Sequence, residues 1–268
     1  MSRYYLLSLQ PNTLISLEKY FNVRYEFDRQ VVLDTIDRFV EDGKKGYICV
    51  ADGVTLATSQ NYPLLRDVLE NSVLNTCDSG WVPVYLKWIY GIKRDQYSGT
   101  NLFKDIVAKK KYNMLFLGAS NAILKPLRES LSKEDERIAG MFFMALPFRS
   151  VDAFDYEKIA ARINEESPDI IWISLGMPKQ EIFMYNLLPK INQGILIGVG
   201  AAFKYASGIP AQKRSPDWLV KCKLEWLYRI LKEPKKQLGR CWLIIKTVPG
   251  ILKEEYKRKR KNICIKAN

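Results

Sequence analysis

With no histidine among its 268 residues, this chain must assign any general-base chemistry to a carboxylate, and a histidine-containing metal site is excluded. Two aspartates stand just past short apolar runs. Asp52 lies in Ala51-Asp52-Gly53 after Tyr47–Val50, where it reads locally as a turn residue before a glycine. Asp78 opens Asp78-Ser79-Gly80 after Val73–Cys77, where the local reading is the N-cap of a helix beginning near Trp81. A third polar group, Lys179-Gln180-Glu181, follows Gly176-Met177-Pro178. Pro178 suits the first position of a helix, so the triplet falls where unpaired N–H groups and the positive end of the dipole meet an anionic or amide-bearing ligand. Its plainer reading is a solvated helix start.

The segments that would position these groups alternate in type. Strands are expected at Phe21–Phe27, Tyr47–Val50, Val73–Cys77, Tyr112–Leu117, Gly140–Leu146, Ile170–Leu175 and Gly194–Gly200, several of them apolar enough for burial on both faces. Helices are expected from Asp28 to about Asp42, from Pro63 to Leu69, over Val84–Tyr90 with Trp88 and Tyr90 in the core, and after Asp155. Gly118-Ala119-Ser120-Asn121 reads as a glycine turn from strand to helix, without the full dinucleotide fingerprint. This alternation predicts an α/β fold, a Rossmann-like doubly wound and mostly parallel sheet, over residues 1–210. Ligands of such sheets sit beyond the carboxyl ends of the strands.

Residues 211–268 form a different kind of segment, a helical, basic C-terminal appendage. Leu219, Cys222, Trp226 and Ile230 fall on one stripe of an expected helix from Pro216 to Lys232, with Arg229 off it. Pro234 ends that helix and begins another, with Leu238, Cys241, Trp242, Ile245 and Val248 on one side and Lys235, Lys236, Arg240 and Lys246 on the other. An aromatic amphipathic helix with a polybasic extension suits an anionic bilayer surface, each cation there contributing about 1 kcal/mol.

The 42 basic against 29 acidic residues give a formal charge of +13, which calls for a polyanionic partner. Nucleic acid ranks low, because the charge gathers in the tail and is not interleaved with aromatics on the sheet. A nucleotide-dependent oxidoreductase also ranks low, lacking GxGxxG with an acidic residue about 20 positions on. Five cysteines, odd in number and without CxxC spacing, suit a reduced cytoplasm. No signal peptide and no apolar run of the roughly 20 residues a spanning helix needs are evident.

Three blocks in order, GMPKQE, IGVGAAF and LEWLYRILKEP, resemble the bacterial WecG/TagA/CpsF family of glycosyltransferases. The resemblance is strong from Asp169 to Pro234, weaker from Phe21 to Leu117, and absent before Tyr20, so residues 1–20 form a poorly matched extension. It implies transfer of an N-acetylmannosamine-type sugar from UDP to an undecaprenyl-diphosphate-linked sugar, with inversion and without a metal ion or cofactor. The implied location is peripheral, on the inner face of the plasma membrane, with self-association. It further implies a catalytic aspartate beside a glycine, where register here puts Ser79 and leaves Asp78 one residue earlier. Asp52 would touch substrate. Thr100 and Asn101 match a loop near the sugar, Asn101 replacing an acidic residue and Gln96 an arginine. The donor would lie against Gly118, Gly176, Lys179, Gln180, Glu181 and Gly200. Arg229, Lys236 (where the family usually has arginine) and Arg240 would meet diphosphate groups.

Overall fold

The computed structural model describes residues 18–266. In chain order its elements are β1 (Glu18–Tyr20), β2 (Val23–Glu26), α1 (Arg29–Glu41), β3 (Lys45–Ala51), α2 (Gly53–Ser59), α3 (Pro63–Asn71), β4 (Leu74–Cys77), α4 (Val82–Tyr90) and α5 (Gly99–Ala108). There follow β5 (Met114–Gly118), α6 (Asn121–Ser132), β6 (Phe142–Met144), α7 (Tyr156–Glu166), β7 (Ile170–Ser174), α8 (Lys179–Leu187), β8 (Gly194–Gly198) and α9 (Ala202–Ala206). Three helices close the chain: α10 (Asp217–Lys221), α11 (Glu225–Lys232) and α12 (Pro234–Lys266).

The strands form one eight-stranded sheet in the order β1-β2-β4-β3-β8-β7-β5-β6. Among the described residues only the β1–β2 hairpin is antiparallel; every other pairing there is parallel. Alternation along the strands divides the core. Tyr47, Cys49 and Ala51 of β3 face one cluster with the buried side chains of α2, α3, α4, α7 and α8, whereas Ile48 and Val50 face another with α1, α5, α6 and α9. The result is a mixed α/β fold, a central sheet between helices. Asp28 and Asp155 cap α1 and α7 as their positions predict.

Several elements depart from expectation. Helices α2 and α5 are not among the expected helices; each begins at a side-chain cap, Asp52 and Ser98 respectively. The single helix expected over residues 216–232 is two, because Lys223 takes a left-handed backbone (φ 60°) between them. Trp88 is not core: it lies 75% exposed on α4. Phe203, by contrast, is fully buried.

One buried acid helps anchor the distal part of α12 to the body. Glu255, 1% exposed, accepts the Phe21 N–H at 2.9 Å and the Tyr90 hydroxyl at 2.7 Å and pairs with Arg258 at 3.0 Å. Phe21 itself holds φ 53°, as does Asn22 at 65°, in the hairpin turn, and Arg258 donates to the Asn22 side chain at 2.9 Å. A buried carboxylate with three partners is costly to delete, since each partner is left desolvated and unpaired. Glu255→Ala is therefore expected to destabilise the protein by about 3 kcal/mol in denaturant melts. A change under ~0.5 kcal/mol would show that apolar packing alone holds α12.

Candidate active site

Beyond the carboxyl ends of β3 and β4, and beneath α10–α12, lies an open cleft. Its sheet side carries Asp52 and Asp78; its cover carries Arg229 and Arg240, with Trp81 and Trp226 among its apolar walls. The two aspartates arrive there for different local reasons. Asp52 ends β3 and caps α2, one oxygen accepting the N–H of Val54 at 3.0 Å, that of Thr55 at 2.7 Å and the Thr55 hydroxyl at 2.9 Å. Its turn role is thus satisfied while it still lines the cleft.

Asp78 does not cap α4. That work falls to Ser79, whose hydroxyl accepts from the N–H of Trp81 at 3.3 Å and of Val82 at 3.4 Å. Freed from it, the Asp78 carboxylate accepts one bond from the Gly99 N–H at 3.3 Å, at the start of α5. Gln96 fixes the same turn by donating to the Asp78 carbonyl at 2.6 Å, and Lys223 does likewise to the Gly80 carbonyl at 2.9 Å. Burial pushes the Asp78 carboxyl up to about 7; Arg229 opposes this, and Asp52 and Glu225 add to it. A carboxylate balanced near neutrality can both take and return a proton.

Arg229 is held in place by Glu225, at 3.1 Å from its Nε, and Glu225 also accepts from Arg214 at 3.3 Å. Burial raises the Glu225 carboxyl, but the two arginines outweigh it and keep it below its usual range. Arg229 and Arg240 also wall a second cavity, which adds Lys204, Tyr205, Lys213 and Lys232. A cluster of cations beside aromatic rings fits a phosphorylated ligand. The side chain of Lys236 lies outside the described residues.

The Gly176–Glu181 segment does something other than offer free amides. Gln180, 4% exposed, accepts through Oε1 from the N–H of Gly176 at 3.3 Å and of Gly200 at 3.1 Å, tying the turns after β7 and β8 together. Its Nε2 donates to Glu181 at 2.9 Å. Glu181 is wholly buried with its second oxygen unpartnered, and burial lifts its carboxyl to about 7. Lys179 donates to the Arg149 carbonyl at 2.6 Å and stands 4.5 Å over the Phe148 ring, outside the cleft. Gly118 is a packing residue, since a Cβ there would sit 2.4 Å from the Ser174 carbonyl oxygen. Thr100 and Asn101 lie in the first turn of α5 and do not line the cleft; the Gly99 N–H is what this helix contributes.

The structure therefore gathers Asp52, Asp78, Arg229 and Arg240, and leaves Thr100, Asn101, Gly118 and Lys179 elsewhere. Sequence reasoning missed Trp226 as a cleft wall, Lys223 as a brace and Lys204, Lys213 and Lys232 as a cationic set. Only charge density hinted at the last, because the helices that align them touch the sheet through tertiary contacts. The buried Glu181 has a consequence for stability. Its folded-state pKa, about 7 against an ordinary 4.5, means the folded protein binds the extra proton between those values, so its contribution falls as pH rises from about 4.5 to 7 and is flat above. Relative to wild type, Glu181→Gln should gain on the order of 3 kcal/mol in unfolding free energy between pH 4.5 and 8. A difference independent of pH would show Glu181 already ionised in the fold.

Comparison with known proteins places the chain in a family. The model of the glycosyl transferase WecG/TagA/CpsF family matches residues 19–261. An N-acetylglucosaminyldiphosphoundecaprenol N-acetyl-beta-D-mannosaminyltransferase of Bacillus subtilis (strain 168) is 29% identical over 202 residues, 72% of this chain and 73% of that protein. A protein of the same name from Bacillus spizizenii is 26% identical over 222 residues, 81% and 82% of the two chains. Another, from Staphylococcus aureus (strain MW2), is 29% identical over 148 residues, 55% and 54%. With the match running from the β1–β2 hairpin to the far end of α12, the chain belongs to the WecG/TagA/CpsF family of glycosyltransferases.

Proposed function

We propose that this chain transfers an N-acetylmannosamine-type sugar from a UDP-sugar to an undecaprenyl-diphosphate-linked sugar, inverting the anomeric centre, in assembly of a cell-envelope polymer. The observation that carries this reading is the Asp78 carboxyl facing Arg229 and Arg240 across one covered cleft. Asp78 takes the proton from the acceptor hydroxyl as that oxygen bonds to the anomeric carbon. The bond from that carbon to the donor diphosphate breaks on the opposite face, and its electrons leave with UDP. Arg229 and Arg240 offset the charge gathering on the departing diphosphate. One displacement with a base and no enzyme nucleophile gives inversion. The Gly99 N–H, held on Asp78, orients the carboxylate toward the acceptor.

We read the sheet as a Rossmann-like, doubly wound variant carrying the donor over its carboxyl edge, and residues 211–268 as a part that brings this edge to the inner face of the plasma membrane. Exposed Trp218, Trp226 and Trp242 beside a basic helix support peripheral attachment.

The test is transfer from a panel of UDP-sugars to a short-chain lipid-diphosphate acceptor, with products identified by mass. Asp78→Asn is expected to lower kcat by about 10³-fold while leaving UDP affinity within a few-fold. Near-normal turnover in that variant would remove Asp78 from the reaction. Since a base works only when ionised, kcat/KM should rise with pH to a plateau above about 7, the value to which the Asp78 carboxyl is lifted. A profile flat from pH 5 to 9 would contradict the assignment.

A further inference from the structure

We infer that α4 is a second lipid-contacting element, so that the cleft opens between α4 and the covering helices directly onto an anionic bilayer. The inference rests on the peripheral attachment proposed above and adds a contact from the body of the fold. Trp81, Tyr85 and Trp88 are spaced i, i+4, i+7 and share one stripe of α4. Trp81 and Tyr85 line the cleft, and Trp88, next on the stripe, is 75% exposed. The opposite wall behaves alike. Trp226 and Ile244 line the cleft, while Trp242 and Ile245 stand 69% and 64% exposed on α12. Both walls thus run outward into aromatic surface that a soluble monomer has no reason to leave in water.

The charge beside these rings selects the occupant. Lys87 on α4 and Lys246 and Lys253 on α12 are exposed, and the whole chain carries +13. Like charge opposes a second copy seated face to face, whereas acidic headgroups complement it. No helix among the described residues is long and apolar enough to cross a membrane, so contact through these rings lies in the interface plane, where tryptophan places its apolar body and polar N–H well. An acceptor whose polyprenyl chain stays in the bilayer would then pass its diphosphate and sugar up between Trp88 and Trp242 toward Asp78.

The test uses the full chain with vesicles of phosphatidylglycerol and phosphatidylcholine, read by co-sedimentation. Trp88→Glu and Trp242→Glu should each weaken partitioning about tenfold, and Trp88→Phe should stay close to wild type. With acceptor embedded in the vesicles Trp88→Glu should lose rate in proportion, yet keep its kcat on a short-chain acceptor in solution. Binding that falls in Trp242→Glu but not in Trp88→Glu would overturn the role of α4 and leave peripheral attachment standing. Failure of the wild-type chain to sediment with these vesicles would overturn both. A concentration-dependent dimer in solution that Trp88→Glu abolishes would assign the surface to a second copy instead.

Discussion

A half-buried carboxylate with an arginine set against it is the constraint on which this molecule turns. Asp78 ends a strand, and such a residue would ordinarily be solvated or spent as a helix cap. Here Ser79 caps α4, and α10–α12 cover the turn. Desolvation raises the carboxyl toward neutrality, while Arg229 keeps the ionised form within reach. Neither group achieves this alone. Burial and Arg229 act on that carboxyl in opposite directions.

The cover must consequently be held in place, and its holding is distributed. Lys223 braces the start of the covering helices on the Gly80 carbonyl; Glu225 links Arg229 and Arg214; Glu255, far along α12, grips the β1–β2 hairpin and Tyr90. The hairpin and the C-terminal helix, at opposite ends of the described chain, are thereby fastened to each other next to α4. One helix of the body, α4, therefore touches both the cleft, through Trp81 and Tyr85, and the clasp, through Tyr90. Further along the same carboxyl edge, the Gln180 side chain ties together the turns after β7 and β8.

Much of the α/β organisation was legible because buried parallel strands write themselves as short apolar runs. Ile170–Ser174 and Gly194–Gly198 lie almost where their β-branched residues predict. Helix α2 was not legible. Its sequence, GVTLATS, is poor in helix formers, and it is helical because Asp52 caps it and Leu56 and Ala57 are buried beneath it. Helix α5 opens on Gly-Thr-Asn and hides behind a loop-like start for the same reason, with Ser98 as its cap. Trp88 shows the opposite error: an aromatic at helical spacing reads as core, and only the packing of α4 reveals that its stripe is turned outward.

For the site, sequence alone determined the chemical inventory. The absence of histidine turned attention to the carboxylates, the order of GMPKQE, IGVGAAF and LEWLYRILKEP pointed to the family, and the basic aromatic tail pointed to a polyanionic partner. Only the tertiary structure decided which carboxylate is desolvated, which cations face it, and which glycines are packing elements. Those outcomes depend on burial and on charges brought together from more than 150 residues apart, as with Asp78 and Arg229. Electrostatic environment is a property of the space around a group, and the linear order of residues carries no measure of that space.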